Sequence, residues 1–331
     1  MSIVKIGNKV INTNILLAPL AGCSDLAFRL ICREQGAKFC FFEMIDANSL
    51  IHNRNRSLRL IKTNETDMPI AAQLLGRDPE VILEAAQRLL SLVNITFLDL
   101  NCACPVRKVI KRKSGAYLLT DTDTLSKIIK KLSASLPLPI TAKIRVGYAK
   151  KDLKEISQTA KLLEASGASA IFVHGRTKTQ GYSGEVDYAS IKAVKEAVGI
   201  PVFGSGNIFN PMLAKKMLDE TGCNGILVAR GALGKPWIFK EIENYLAGKT
   251  VVPITLPKLK VTLKKHLSYL DKYKETREIT KVGFMRKLCL WYLKGFTDSA
   301  KIRNRICSIK SYEEVFALID NLPDNLAFVN R

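Results

Sequence analysis

Two cysteines stand close together in the stretch LDLNCACPVRKV, residues 98–109. Cys104 precedes Pro105, which fixes the backbone and cannot donate to a strand ladder, so we expect Cys104 at the start of a loop. Cys102 is expected to pack as a small apolar residue. A lone Cys-x-Cys pair lacks the further ligands that zinc needs, and we predict no metal site. Cys104 is therefore the candidate for chemistry.

Lys143 lies inside the apolar segment TAKIRV, where an unpaired ammonium would be costly. We expect it to face an anionic or electron-rich partner, such as a reduced flavin ring. The alternative is a lysine that reaches solvent from a strand end. His174 begins HGRT at the end of another apolar run and could be a hydrogen-bonded core histidine. Because its strand is expected beside the strand of Lys143, we favour a place in the functional site.

These residues need a scaffold, and eight short apolar runs supply one. Runs of this kind are typical of buried parallel strands, and amphipathic segments separate most of them. Strand then helix, repeated to eight, predicts a (β/α)8 TIM barrel in the α/β class. An open doubly wound sheet is disfavoured because no GxGxxG follows the first run. The runs are ILLAPLAG (15–22), FCFFEMID (39–46), PIAAQLLG (69–76), ITFLDLNCACP (95–105), PITAKIRVG (139–147), AIFVHGRT (170–177), PVFGSGNI (201–208) and GILVARGALG (225–234).

In such a barrel the catalytic groups gather at the C-terminal ends of the strands. The polar candidates there are Gln73, Asn101, Cys102, Cys104, Lys143, Arg145, His174, Arg176, Ser205, Gly206 and Asn207. The last two runs, with GSGN and ARGALGKP, put small residues and backbone N–H groups where barrels commonly hold a phosphate, with Arg230 as a charge partner. The sequence therefore predicts a phosphorylated cofactor.

The chain is strongly basic, with 51 Lys+Arg against 30 Asp+Glu. An acidic partner is expected and nucleic acid is the leading candidate, although a generally Lys-rich composition is the alternative. Residues 251–331 contain 16 Lys+Arg and 8 Asp+Glu, and their apolar patterns predict only helices. We predict a catalytic barrel domain at 1–250 and a helical domain that contacts a polyanion at 251–331.

Two basic segments are candidates for that contact. One is VRKVIKRKSG after Cys104, with five Lys and Arg residues. The other is the tail, where alternating spacing suggests a stripe of charge with a common direction. The tail candidates are Lys281, Arg286 and Lys287 on one predicted helix, and Lys301, Arg303 and Arg305 further on.

The eight cysteines are irregularly spaced and form no disulfide framework. The N-terminal segment does not have the pattern of an export signal, and no apolar run reaches about 18 residues. We expect a cytoplasmic monomer that does not bind membranes.

In these residues the chain resembles the flavin-dependent tRNA-dihydrouridine synthases, particularly the bacterial B-type members. The motifs follow the family's order and spacing over nearly the whole chain, which is more specific than any one of them. They are APLAG (18–22), NCACP (101–105), KSGAYLL (113–119), KIRVG (143–147), HGRT (174–177) and ARGALGKPW (229–237).

The resemblance implies an FMN-binding barrel whose C-terminal helical domain holds tRNA, with NADPH or NADH as reductant. It also implies hydride transfer from reduced FMN to C6 of uracil, with Cys104 delivering a proton to C5. The residues implied near the cofactor are Pro19, Leu20, Ala21, Gln73, Lys143 and His174, with Ser205, Gly206, Asn207, Ala229 and Arg230 at its phosphate. The residues implied near the uracil are Asn101, Lys143, Arg145 and His174.

The sequence departs from the family pattern at two places. Cys102 and Ala103 replace the usual Met-Gly, and Ser205-Gly206-Asn207 replaces a frequent Asn-Gly-Asp. The acid and the central glycine remain, while the flavin contacts of the missing Asp are in doubt. Two other hypotheses stay open: an FMN barrel acting on a free small molecule, as dihydroorotate dehydrogenases and enoate reductases do, and a non-catalytic RNA-binding protein.

Overall fold

The chain forms a hairpin, a closed barrel and a helical C-terminal region, in a computed structural model that describes residues 3–297 and 299–323. The strands are β1 (Val4–Ile6), β2 (Lys9–Ile11), β3 (Ile15–Leu17), β4 (Cys40–Asp46), β5 (Ile70–Leu75), β6 (Leu98–Cys102), β7 (Ile140–Arg145), β8 (Ala170–His174), β9 (Val202–Ser205) and β10 (Gly225–Val228). The α-helices up to the end of the barrel are α1 (Leu26–Glu34), α2 (Ala47–Ile51), α3 (Asn55–Leu60), α4 (Pro79–Leu92), α5 (Arg107–Lys111), α6 (Thr122–Ser135), α7 (Leu153–Ala165), α8 (Tyr188–Ala197), α9 (Pro211–Thr221) and α10 (Ile238–Leu246). Short 3₁₀ segments lie at Gly115–Thr120 and Arg230–Ala232.

Strands β3 to β10 close into the predicted eight-stranded parallel barrel, in which β10 pairs with both β9 and β3. Each predicted apolar run contains one barrel strand, so the TIM-barrel prediction is confirmed. Because all eight strands are parallel, their C-terminal ends meet at one face. This geometry brings strand-end residues that are far apart in sequence to a single mouth.

The barrel interior changes from aromatic to polar along the strands. Alternate residues of a strand point to the same side, and on β6 the inward positions are Phe97, Asp99 and Asn101. At the N-terminal end the Phe97 ring stacks on Phe39 with centroids 5.2 Å apart, and Phe172 packs on Phe203 at 5.0 Å. The lower half is therefore a packed apolar plug, and polar chemistry is confined to the C-terminal half.

The sequence reasoning missed the hairpin of β1 and β2, which are antiparallel. Its apolar side chains Val4, Ile6 and Ile11 pack into the same cluster as the barrel phenylalanines, so the hairpin covers the N-terminal end. A signal was present, because Gly7-Asn8 separates two short alternating segments, and Gly7 adopts a φ of +56°.

The C-terminal region is helical, as predicted, with α11 (Leu256–Tyr273), α12 (Glu278–Tyr292), α13 (Ser299–Ser308) and α14 (Tyr312–Asp320). Helix α11 begins seven residues before the predicted helical segment at 263, since Pro257 lies in its first turn, where a missing N–H costs nothing. These helices enclose a cluster of their own, which Ala27 and Trp237 join from the barrel. Residues 324–331 of the predicted tail domain lie outside the described residues.

Helix α13 overturns the expected stripe at Lys301, Arg303 and Arg305. Side chains two residues apart on a helix point about 200° apart around its axis. Charges at every second residue therefore share a direction only on a strand. Lys301 and Arg305, four apart, share a face, and Arg303 lies on the opposite one.

Two lysines of the tail helices form ion pairs with the barrel. Lys265 forms an ion pair with Glu34 at 2.8 Å, and Lys274 with Asp25 at 2.5 Å. Asp25 caps the N-terminus of α1 and Glu34 is its last residue, and α1 packs on α11. Within residues 3–297 and 299–323, no helix has both the length and the apolarity to cross a bilayer.

Candidate active site

Cys104 lies in the loop after β6, and four hydrogen bonds brace this loop. The Asn101 side-chain oxygen accepts the backbone N–H of Ala103 (3.1 Å) and of Cys104 (2.9 Å). The carbonyl of Ala103 accepts Arg145 Nε at 2.7 Å, and that of Cys104 accepts the N–H of Ala116 at 3.1 Å. The predicted position of Cys104 in the loop is thus tightly specified by its neighbours.

The two cysteines differ in their surroundings. Cys104 is half-buried, and burial raises the pKa of its thiol although the Val106 backbone and the charges of Arg145 and Lys143 lower it. A raised pKa leaves the thiol neutral at pH 7 and able to give a proton. Cys102 is fully buried among the apolar residues outside the barrel sheet, as expected of a small core residue.

A chain of side-chain hydrogen bonds leads from the interior to this loop. Gln73 Nε2 donates to Asp99 Oδ2 at 2.7 Å, and Asn101 Nδ2 donates to Gln73 Oε1 at 2.7 Å. Thr141 Oγ1 donates to Asp99 Oδ1 at 2.7 Å. Burial raises the pKa of Asp99 to about 7, against the effect of these hydrogen bonds. Sequence reasoning missed Asp99, although its position two residues before Asn101 places it on the same side of β6.

Lys143 stands beside Asn101 in the β6–β7 register and lines the cavity at the barrel mouth. Its ammonium has no hydrogen bond or ion pair with the described part of the chain. Burial and the neighbouring Arg145 lower the pKa of Lys143 to about 8. A desolvated, unpaired cation facing a cavity suits an anionic or electron-rich ligand.

His174 lies at the same mouth, next to Ser205 in the β8–β9 register. Burial, and then the positive charges led by Lys143, lower the pKa of His174 to about 2, so the imidazole is neutral at physiological pH. Its Nε2 is buried without a hydrogen-bond partner among the described residues. A neutral ring nitrogen left unpaired in a cavity is available to a ligand.

Two buried arginines clamp the loop that follows β8. Arg145 Nη1 donates to the carbonyls of Thr177 and Gly181, both at 2.8 Å, in addition to its bond to the loop of Cys104. Arg176 Nε donates to the Ser183 carbonyl at 2.9 Å. Most of the donors of Arg145 are thus bonded to backbone carbonyls. Arg145 therefore braces two loops, a role that the sequence did not predict beside its expected place near uracil.

The cavity at the mouth is lined by residues from β3, β7, β8, β9 and β10. Those expected from the sequence are Pro19, Leu20, Lys143, His174, Ser205, Gly206, Asn207, Ala229 and Arg230. Gly206 adopts a φ of +133°, and a side chain on Gly231 would meet the Ile208 carbonyl at 1.8 Å, so backbone approaches closely here. Ala21 is exposed and does not line the cavity, while Gln73 and Asn101 lie in the hydrogen-bonded chain beside Lys143.

Arg230 is held between two aromatic rings that sequence reasoning missed. Its guanidinium carbon lies 4.7 Å from the Tyr182 ring centroid and 5.7 Å from that of Phe209. Neither residue follows a strand directly, so no strand-end rule identifies them. The guanidinium makes no hydrogen bond within the described part of the chain, which leaves its planar fork of donors for an anion.

This cradle fits the phosphate of a flavin mononucleotide. It combines a preorganised arginine, close-packed glycine backbone and a buried ring nitrogen without a partner among the described residues. Lys143 lines the same cavity.

Basic side chains surround the mouth, and several have partners within the protein. In the segment after Cys104, Arg112 forms an ion pair with Asp46 at 2.7 Å. The other basic residues there are exposed: Arg107, Lys108, Lys111 and Lys113. From the tail, Lys287 donates to the carbonyl of Gly22 at 2.9 Å and so contacts the loop of Pro19 and Leu20.

The other tail candidates also have contacts within the tail. Lys281 forms an ion pair with Asp271 at 2.8 Å, and Arg286 donates to the Cys307 carbonyl at 3.1 Å. The charge of Lys281 is thus partly neutralised within the tail, and one donor of Arg286 is already used there.

Comparison with known proteins gives a consistent assignment. The family model described as dihydrouridine synthase (Dus) matches residues 16–327. The tRNA-dihydrouridine synthase B of Pseudomonas aeruginosa is 37% identical over 305 residues, covering 92% of this chain and 90% of the relative. That of Vibrio parahaemolyticus is 35% identical over 327 residues, covering 98% and 100%.

Solved structures show the same fold at low identity. The old yellow enzyme from Trypanosoma cruzi aligns with a TM-score of 0.55 at 10% identity, over 78% of this chain and 94% of that one. Histamine dehydrogenase from Rhizobium sp. 4-9 aligns with a TM-score of 0.57 at 12% identity, over 81% of this chain and 50% of that one.

Proposed function

This chain belongs to the dihydrouridine synthase family, and on that premise we propose that it reduces uridine bases of tRNA to 5,6-dihydrouridine. One observation carries the proposal: a thiol with a raised pKa shares the barrel mouth with an unpaired lysine and a neutral histidine. Relatives named tRNA-dihydrouridine synthase B align over nearly the full chain, which supports the same substrate.

Cys104 is the proposed proton donor to C5 of the uracil ring. A neutral thiol can deliver the proton without a metal, and its braced loop holds the sulfur in one place. Lys143 and His174 are proposed to contact the polar edge of the uracil, with Asn101. Arg145 is proposed to hold both neighbouring loops around the base.

The proposed cofactor is FMN, with NADPH or NADH as the reductant. When bound and reduced, FMN supplies the hydride for C6 of the uracil. The residues proposed to hold it are Pro19 and Leu20 along the ring, Gln73, Lys143 and His174 at its polar atoms, and Ser205, Gly206, Asn207, Ala229 and Arg230 at the phosphate. The unused donors of Arg230 support this arrangement.

The proposed division of the chain into two functional units follows its hydrophobic clusters. Residues 1–250 are proposed as the catalytic unit and 251–331 as the unit that holds tRNA, since the tail helices enclose their own apolar cluster. A uridine inside folded RNA must be flipped out, at a cost of a few kcal/mol that backbone contacts would offset. The relatives named tRNA-dihydrouridine synthase B favour this function over the rival hypotheses of a small-molecule reductase and a non-catalytic RNA-binding protein.

Replacing Arg230 by Ala, or Lys143 by Ala, should lower flavin retention. A charge-assisted contact contributes about 1.5 to 3 kcal/mol, so flavin affinity should fall roughly 10- to 100-fold. The ratio of flavin to protein absorbance in the purified protein measures the effect. Arg77→Ala, which removes an exposed ion pair with Asp121, is the matched control and should leave the ratio unchanged. Unaltered ratios in both site variants would move the cofactor elsewhere.

Neutralising Lys301, Arg303 and Arg305 together should weaken tRNA binding and flatten its salt dependence. Each lost contact with a phosphate reduces the steepness of log K against log salt by roughly 0.7 to 0.9. Filter binding of tRNA across a salt series measures the slope. Neutralising Lys192, Lys215 and Lys216 on the outer barrel removes the same charge and should change the slope less. Identical titrations for wild type and the tail variant would show that α13 does not contact the RNA backbone.

A further inference from the structure

The hydrogen-bonded chain from Asp99 to the loop of Cys104 has a fixed polarity. Asp99 is fully buried, and in its ionised form both carboxylate oxygens can only accept hydrogen bonds. One oxygen accepts Thr141 Oγ1 and the other accepts Gln73 Nε2, both at 2.7 Å. The carboxylate therefore forces the Gln73 amide to turn its NH₂ group inward.

That choice determines the next amide. With its NH₂ facing Asp99, Gln73 presents its oxygen to the next position on the same side of β6, where only a donor can pair with it. The donor is the NH₂ group of Asn101, at 2.7 Å. Asn101 must then turn its own oxygen toward the loop.

At the loop end, the direction of the hydrogen bonds is fixed by groups that can only donate. The backbone N–H groups of Ala103 and Cys104 both bond to the Asn101 oxygen, at 3.1 and 2.9 Å. If the Asn101 amide turned over, its NH₂ group would face these N–H groups and both hydrogen bonds would be lost, and a turned Gln73 amide would set its own NH₂ group against that of Asn101. The three side chains of Asp99, Gln73 and Asn101 are buried, so water cannot easily replace a missing partner.

We propose that Asp99 is a positioning residue for Cys104, which fixes the orientation of the Gln73 and Asn101 amides and thereby the backbone that carries the thiol. Its effect on turnover rests on the proposed function, but its effect on the Cys104 loop does not. The position of the thiol can therefore be tested without RNA or cofactor.

The test compares Asp99→Leu with Asp99→Asn by alkylation with iodoacetamide, followed by mass spectrometry of each cysteine peptide. Leu removes the acceptor and should speed alkylation of Cys104 by roughly fivefold, on the scale of losing one hydrogen bond. Asn can keep an oxygen toward Gln73 and its NH₂ toward the Thr141 hydroxyl, so it should restore the wild-type rate. The exposed Cys307 is the internal control and should react alike in all variants.

The same variants should separate kcat from KM. Asp99→Leu should lower kcat for dihydrouridine formation about 10- to 100-fold, because a displacement near 1 Å can cost that much, with KM for tRNA within about twofold. Thr141→Val removes the other donor to Asp99 but leaves the acceptor for Gln73, and it should behave as wild type.

Equal Cys104 alkylation in wild type and folded Asp99→Leu would overturn the proposal. Alkylation of Asp99→Asn as fast as that of Asp99→Leu would also overturn it, because charge and not amide orientation would then be the cause. If Asp99→Leu fails to fold, the double variant Asp99→Asn with Thr141→Val replaces it. There the NH₂ group of the substituted amide at position 99 has no hydroxyl to fix its direction, and faster alkylation of Cys104 is again the expected result.

Discussion

Replacing Cys104 by Ala should abolish most dihydrouridine formation while the protein still binds flavin and tRNA. A positioned proton donor contributes about 10²- to 10⁴-fold to rate, and within the described residues Cys104 is the only thiol in the loop after β6. Single-turnover reduction of tRNA by pre-reduced protein measures the loss. Full activity in this variant would remove Cys104 from the mechanism.

Cys102→Ala is the matched control, since it deletes the neighbouring thiol from the core outside the sheet. It should retain activity and lose only the small amount of stability that a cavity of this size costs.

The pH dependence of activity adds a second check on the role of Cys104. Because burial raises the pKa of the Cys104 thiol, the donor stays protonated through neutral pH and is lost only as pH rises above the ordinary thiol range. Activity that is already lost as pH rises toward 7 would contradict this assignment, because the thiol would then deprotonate below neutral pH.

Replacing Arg145 by Leu should damage both stability and activity. Its guanidinium donates three hydrogen bonds to carbonyls of two loops, at 2.7 to 2.8 Å. Removing one partner of a buried, hydrogen-bonded charged interaction costs roughly 3 to 5 kcal/mol in all, so a loss of that size in unfolding free energy is expected. The loop of Cys104 loses one of its braces, and activity should fall at least about 100-fold. Calorimetry and single-turnover rates measure the two effects.

Arg176→Leu is the comparison that separates the two loops. Arg176 bonds to Ser183 and Gly184 in the loop after β8 and, among the described residues, has no hydrogen bond to the loop of Cys104. It should destabilise the protein while Cys104 keeps its wild-type alkylation rate. If Arg145→Leu retains wild-type stability and activity, the bridging role of Arg145 is wrong.

The sequence by itself determined the barrel and the position of its mouth. Each βα unit is local, since an apolar strand and an amphipathic helix are both encoded within about 30 residues. Parallel strands then bring their ends together whatever the loops do, so Lys143, His174 and Ser205 could be assigned to one face from strand ends alone. Cys104 could be placed in a loop because Pro105 acts on its immediate neighbour.

Only the tertiary structure decided which of these groups have partners. Whether Lys287 meets RNA or the Gly22 carbonyl depends on a contact 265 residues apart in sequence, and no local pattern encodes it. The rings of Tyr182 and Phe209 reach Arg230 because loops of different strands converge over it. A hydrogen bond requires its two groups within about 3 Å, whereas sequence patterns specify only the face and the end of an element. Side-chain pairing between elements is therefore set by packing, and with it the polarity of the amides that support Cys104.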